Sequence, residues 1–532
     1  MSRRRHATTR AIAALLSALL LPAAAALDLG AVPRRDRNSA LAPGWQHGAF
    51  MEIFVRAYQD SDGDGIGDLP GLTARLDYLK DLGIKGIWLM PITASADRDH
   101  GYATTDFRAL EPGYGTLEQF DEFVRQAHRR GIGVIIDYVI NHSADAHPLF
   151  RQALQGPANP YRDWFVWQDP APTGWDIWGR NPWTGTPSGS YFATFGPNMP
   201  DFNLKNPVVW DYHLNSLRFW LNRGLDGFRL DAVPHLVETD SVEWNDQPES
   251  RRKTKQLQDL IKSYSRRHVV CEATANPQVY AAPAVCGSAF AFGLEQQIIK
   301  AARGEQPAVQ AVADYFKSAP LTMATMLANH DIFAGERVWD QFAGDEARYK
   351  LAAASYLLLP GTPFIYYGEE IGMAGVPGLP GDEPLRAPMS WRADGGFSES
   401  ARPFRPAAPN AATHNAAAQA VDPGSILNFY KAMLRLRNGL PSIAQGSYEQ
   451  AKAEGQVLSF QRRLGRERSL VVINYGTAPA EARLSALPAK ARLRALYPLA
   501  RGGGDPAPRS DAQGHARLPA PAQSVQVFRV GS

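Results

Sequence analysis

Cysteine is scarce. Cys271 and Cys286 are the two in 532 residues, too few for a scaffold built on disulfides. Long apolar runs are also missing. The stretch Ala11–Leu21 is too short to anchor the chain in a bilayer, and no other apolar run is long enough to span one, which excludes a transmembrane helix. There are no internal repeats, so a solenoid or propeller is excluded. Strong charge of one sign is absent as well. The formal net charge is +3, and residues 1–26 hold four arginines and no acids. Without them the net charge is −1, and nothing calls for nucleic acid or an anionic membrane surface as partner.

Those first residues read as an export signal. Arg3, Arg4, Arg5 and Arg10 form a basic head, an apolar stretch follows, and Ala23–Ala26 supply the small residues of a cleavage site. The expected location is secreted or periplasmic. Export would permit a bridge between Cys271 and Cys286. Two separate buried thiols are the favoured alternative, because the sequence does not supply the Cα geometry a bridge requires.

What is abundant is ordinary globular material, 45% hydrophobic and 20% charged. Eight short apolar runs alternate with longer helical patterns. The runs are EIFVRAY (52–58), GIWLMP (86–91), GVIIDYVI (133–140), DGFRLDAV (226–233), HVVCEA (268–273), AFAFG (289–293), MATMLANHD (323–331) and PFIYYGEE (363–370). Near-continuous apolarity suits parallel strands buried on both faces. Eight strand–helix units predict an α/β fold, a (β/α)8 barrel. The Trp-, Pro- and Gly-rich stretch 143–205 has little helical period and is read as a small inserted domain after the third strand. Residues 44–142 and 206–440 then form the barrel. Alternating runs such as SLVVINY (469–475) and SVQVFRV (524–530) predict a C-terminal antiparallel β domain over 445–532. A second irregular stretch, from about 372 to 424, follows the eighth strand, and its Ala-, Pro- and Asn-rich part reads as a mobile loop near the mouth of the barrel.

Polar groups recur where such a barrel places its chemistry, at the strand ends. Asp137 ends the third run, with Asn141 and His142 behind it. Arg229 and Asp231 end the fourth, Glu272 the fifth, His330 and Asp331 the seventh. Arg229 and Asp231 are two apart and share a face, so the arginine is expected to keep Asp231 ionised. Glu272 follows Val269, Val270 and Cys271, an apolar setting that suits a protonated acid. An ionised and a protonated carboxyl flanking one bond are the apparatus of acetal hydrolysis. Any one of these carboxylates could equally cap a helix or make a structural ion pair. Their ordered recurrence carries the reading.

The first run is followed by DSDGDGIGD (60–68). Asp60, Asp62, Asp64 and Asp68 with the Ile66 carbonyl make an oxygen-rich calcium loop; Gly71 at its twelfth position excludes an EF-hand.

Taken together, DYVINH (137–142), GFRLDAVPH (227–235), the glutamate of VVCEA (269–273) and ANHD (328–331) resemble the four signature segments of the α-amylase family of glycoside hydrolases. GIKGIWLMPI (83–92), MPDFN (199–203) and GTPFIYYGEE (361–370) are similar to further family segments. The resemblance implies Asp231 as nucleophile, Glu272 as acid/base and Asp331 as transition-state stabiliser. It assigns Arg229, His142 and His330, with His235 at the end of the second segment, to sugar binding. Asp137 is implied as a supporting acid and Tyr102 as a stacking platform. It also implies calcium at the Asp-rich loop and a second calcium held in part by Asn141. The expected substrate is an α-glucan or malto-oligosaccharide, cleaved at α-1,4 bonds with retention. An exo-acting α-glucosidase, an oligo-1,6-glucosidase and a trehalose-synthase-like transglycosylase remain alternatives. A non-catalytic carbohydrate-binding relative is disfavoured because the three acids are intact. Ala103 stands where many relatives place an acid, and Pro234 where many endo-acting relatives have a lysine.

Overall fold

The computed structural model describes residues 27–498 and 507–531; the export signal expected over 1–26 lies outside them. Among the described residues no helix is long and apolar enough to cross a membrane.

Seven strands form one parallel sheet. In chain order they are Phe50–Ile53, Gly86–Leu89, Gly133–Tyr138, Gly227–Leu230, His268–Cys271, Ala324–Thr325 and Thr362–Tyr366. The last pairs with the first, Phe50 opposite Phe364. The remaining gap is closed by the segment AFAFG, through single parallel bridges from Cys271 to Ala289 and from Phe290 to Ala324. The eight-fold barrel therefore closes, with its sixth member reduced to bridge residues. Apolarity marks a buried segment, but hydrogen-bond register decides how much of it becomes strand. The first strand also differs from expectation: it spans Phe50–Ile53, and Val55–Tyr58 is a short helix.

Both faces of the sheet are buried, for the reason given by period-two alternation. Phe50, Trp88, Ile135, Val270, Phe290 and Phe364 pack together inside the barrel, with Phe50 stacked on Phe364 at 4.8 Å. Met51, Ile87, Ile136 and Val269 point outward into the shell of helices. Glu52, Asp137, Glu272 and Tyr366 each lie two residues beyond an inward apolar residue, so they continue the inward face toward the C-terminal rim. Gly227 has φ 151°, and a Cβ there would come 1.7 Å from the His268 carbonyl oxygen. That close crossing brings the fourth and fifth strands together directly below Arg229.

The helices start where side chains supply the missing acceptors. Thr116 and Gln119 form a capping box on Leu117–Arg129, and Ser425 caps Ile426–Gly439. Between the third and fourth strands the chain makes a three-stranded antiparallel sheet, Trp167–Gln168, Gly189–Phe192 and Trp183–Thr186. An isolated bridge from His142 to Asp201 ties it to the barrel rim. After the barrel, five antiparallel strands follow in the order Ser447–Glu454, Val457–Leu464, Glu467–Asn474, Ser524–Val530 and Leu493–Tyr497. A separate pair joins Ala480–Leu484 to Ala516–Ala520.

The irregular stretch after the eighth strand is packed at Leu385, Arg386, Met389 and Trp391, and the Trp391 indole donates to the Tyr58 carbonyl at 2.8 Å. Its Ala-, Pro- and Asn-rich part, read as a mobile loop, also buries Arg405, Ala408, Asn415 and Gln419, and Asn415 caps the helix Ala416–Ala420. Cys271 and Cys286 form a disulfide, which ties the end of the fifth strand to the turn before the sixth.

Candidate active site

The expected acids converge at the C-terminal rim, around one guanidinium. Arg229 is 1% exposed and lies over the Trp88 ring at 5.2 Å. Its Nη1 donates to Asp137 Oδ1 at 2.9 Å and to Asp231; its Nη2 lies 2.9 Å from Glu272 Oε2. Three carboxyl groups thus share one positive charge.

Arg229 favours the charged form of Asp231, as expected, but against opposing influences. Burial pushes its carboxyl well above the ordinary range, Arg229 pulls it down, and Glu272 and Asp137 push it up again. Burial likewise raises Asp137 to about 6 against the pull of Arg229. One guanidinium cannot balance three buried negative charges, so the cluster keeps a proton. An acid/nucleophile pair needs that state: one carboxyl charged, one protonated.

The backbone next to Asp231 is held in a costly conformation. Ala232 has φ 47°, in the left-handed region that a residue with a Cβ seldom adopts. In that conformation its N–H donates to Glu272 Oε2 at 3.0 Å, and the Val233 N–H donates to the Glu272 carbonyl at 3.3 Å. The residue after the fourth strand thereby fixes the acid after the fifth.

Beyond this centre, Tyr102 donates to Asp137 Oδ2 at 2.9 Å and stacks on His330 at 5.4 Å between ring centres. His330 Nε2 is 2.7 Å from the Tyr102 hydroxyl and 3.1 Å from Asp331 Oδ2; its Nδ1 is 2.5 Å from Glu52 Oε1. Asp331 meets Arg386 Nη2 at 3.3 Å, and burial still raises its carboxyl to about 7. Glu52 and Arg386 did not emerge from the sequence. Glu52 offered one signal, an acid inside an apolar strand. Arg386 offered none, being 55 residues from its partner.

A cavity of 580 Å³ opens over these groups, lined by Tyr102, His142, Asp231, His235, Glu272 and Asp331 among the expected residues. Asp137, Arg229 and His330 sit behind this wall, buried, bonded to the side chains that line it. Both ring nitrogens of His142 and the Nδ1 of His235 are buried without a protein partner. Burial lowers these imidazoles to about 3 and about 4, so both are neutral rings with hydrogen-bonding capacity to spare. On the Glu272 side the wall is aromatic: Trp178 and Phe195 from the inserted segment pack on His235. On the Asp331 side it is ionic: Arg386 holds Asp99 at 3.1 Å and Asp382 at 3.3 Å, and Arg405 holds Asp99 at 2.8 Å.

In the Asp-rich loop, carboxylate oxygens of Asp60, Asp62 and Asp68 lie within 4.8 Å of one another. Asp64 stands outside this group and accepts from the Ile66 N–H at 2.7 Å. Asp60 is also held by Ser398 and by the Gly63 and Gly65 N–H groups, and Asp68 caps the helix Leu69–Ala74. Asn141 is buried beside Asp201, and among the described residues no second cluster of three such ligands forms.

The family model for the α-amylase catalytic domain matches residues 52–446. The chain belongs to the α-amylase family. Its relatives within that family include alpha-amylase 3 of Dictyoglomus thermophilum, 34% identical over 451 residues, or 81% of this chain and 85% of that protein. The trehalose synthase/amylase TreS of Mycobacterium tuberculosis is 33% identical over 493 residues, covering 81% and 82% of the two chains. Among solved structures, the alpha-amylase from H. orenii superposes with a TM-score of 0.79 at 32% identity, covering 91% of this chain and 99% of that one. The chain is thus a glycosidase of this family built on the α-amylase barrel.

Proposed function

We propose that the protein hydrolyses α-1,4-glucosidic bonds of starch-like glucans or malto-oligosaccharides, with retention, through a covalent glycosyl-enzyme. The observation that carries this is the sharing of Arg229 by Asp231 and Glu272 on one cavity wall. Their close pairing fits the retaining class, in which the carboxyl groups are about 5–5.5 Å apart; an inverting pair stands about 6.5–9.5 Å apart to admit a water. In the first step the Asp231 carboxylate attacks the anomeric carbon while Glu272 gives its proton to the departing glycosidic oxygen. In the second, Glu272 takes a proton from water, and the resulting hydroxide oxygen displaces Asp231. Asp331 and the free nitrogens of His142 bind sugar hydroxyls and favour the distorted ring of the transition state.

The ionic wall beyond Asp331 supports a second reading. These ion pairs bound the cavity on that side, which favours attack from a chain end and the exo-acting alternatives. The same glycosyl-enzyme passed to a sugar instead of water would make this protein a transglycosylase, and one relative is named a trehalose synthase/amylase. Product analysis on starch, maltose, isomaltose and trehalose separates the readings. Internal fragments mean endo action, glucose alone means exo action, and trehalose from maltose means transfer. Inversion at the anomeric carbon, read by proton NMR of the first product, would sink the mechanism itself.

We also propose calcium at Asp60, Asp62 and Asp68, where three carboxylates converge. When bound, the ion would neutralise the loop and brace the helix Leu69–Ala74, which Asp68 caps. Export completes the proposal, with the bridged Cys271–Cys286 pair as its support.

A further inference from the structure

A second cavity, of 320 Å³, lies at the opposite end of the barrel. Its walls come from the N-terminal strand ends and from the C-terminal sheet. Gln46 and His47 precede the first strand, His268 opens the fifth, Thr362 opens the eighth, and Arg462 reaches in from Val457–Leu464. Residues at this rim of a barrel ordinarily serve stability. The chemistry here is more specific than that.

No carboxylate lines the cavity, whereas Lys262 stands at its rim and Arg462 in its wall. Arg462 is 1% exposed. It bonds only backbone carbonyls: Ser447 at 2.9 Å, Gly446 at 2.9 Å and Leu358 at 3.2 Å. Directly behind it Arg437, fully buried, likewise bonds only the carbonyls of His47, Leu357, Leu359 and Gly361. No carboxylate contributes to the charge environment of Lys262, Arg437 or Arg462. Burial without a counter-charge lowers both guanidinium groups to about 9. Carbonyl dipoles stabilise such a cation less than a full anionic partner does. Two further polar atoms on the lining residues, His268 Nε2 and Ser288 Oγ, are buried with no partner.

The lining also discriminates among ligands. The absence of carboxylates disfavours a metal ion. The absence of Trp, Tyr and Phe disfavours a sugar, which would want an apolar face. Cations and hydroxyls with no acid suit an oxyanion.

We propose that this cavity binds a small oxyanion of the phosphate or sulfate class, at the junction of the barrel and the C-terminal sheet. The site is separate from the glycosidase centre at the other rim. The test uses the full chain and inorganic phosphate, by calorimetric titration and by thermal melting, with chloride at matched ionic strength as reference and sulfate as a second probe. A saturable rise in Tm with phosphate is expected. Lys262→Ala and Ser288→Ala should each weaken the apparent affinity about tenfold, a change of about 1.4 kcal/mol. Stabilisation by exclusion of these salts from the surface does not saturate and would persist in both variants. A rise that fails to saturate, or one equal in wild type and both variants, overturns the site. Lys262 is solvent-exposed, so its alanine variant tests the charge without removing core packing.

Discussion

The Nδ1 of His330 lies 2.5 Å from the Oε1 of Glu52, and both residues are buried. Burial raises the Glu52 carboxyl and lowers the His330 imidazole, so the pair is most stable uncharged. The acid O–H then donates to Nδ1, and Nε2 carries the ring proton toward Tyr102 and Asp331.

This makes Glu52 a positioning residue with a definite signature. Glu52→Ala removes the donor and frees the tautomer. It should lower kcat/KM roughly 10–100-fold, equivalent to the ~1–3 kcal/mol of an unsatisfied buried group. Glu52→Gln keeps an N–H donor and should recover most of that loss. Equal activity of the two variants would refute the tautomer argument. Melting curves of both separate positioning from folding.

Asp231→Asn and Glu272→Gln should fail differently. With maltose or starch both should lose roughly 10²–10⁴-fold in kcat. An aryl glucoside with an acidic phenol leaves without a proton, so Glu272→Gln should form the glycosyl-enzyme from it at near wild-type rate. Asp231→Asn should not. A burst of phenol from the Asn variant would reassign the nucleophile.

The raised carboxyl of Asp331 predicts a slope in stability with pH. Folded Asp331 keeps its proton up to about 7, while the unfolded group loses it near 3.8. The associated stability is complete below pH 3.8 and is lost as pH rises through the window to 7. Each such group contributes about −1.4 kcal/mol per pH unit across the window. Asp331→Asn should flatten the slope by roughly that amount in denaturant titrations between pH 4 and 7. An unchanged slope would mean that Arg386 holds Asp331 ionised in the folded protein.

Calcium removal should lower the melting temperature. At a concentration of 100 Kd a bound ion stabilises the folded state by about 2.7 kcal/mol. Excess chelator should abolish that increment in wild type and change little in Asp62→Asn, whose exposed side chain can be altered without disturbing the turn's core. A wild-type Tm indifferent to chelator would leave Asp60 and Asp68 as turn and helix caps alone.

The sequence by itself determined the barrel, the order of polar residues along its rim and the Asp-rich loop. Each of these is written in short-range pattern: apolar runs of strand length, pairs two residues apart, acids spaced to one turn. Register was not, so AFAFG read as a full strand and closes the barrel by two bridges. Charge balance was not either. Asp231 beside Arg229 looked like a simple ion pair until Asp137 and Glu272 were seen on the same guanidinium. Glu52 meets His330 across 278 residues and Arg386 meets Asp331 across 55, and no local spacing encodes such contacts. Only the folded chain decides them, because the protonation of a buried group depends on every charge and dipole packed around it, wherever in the sequence these originate.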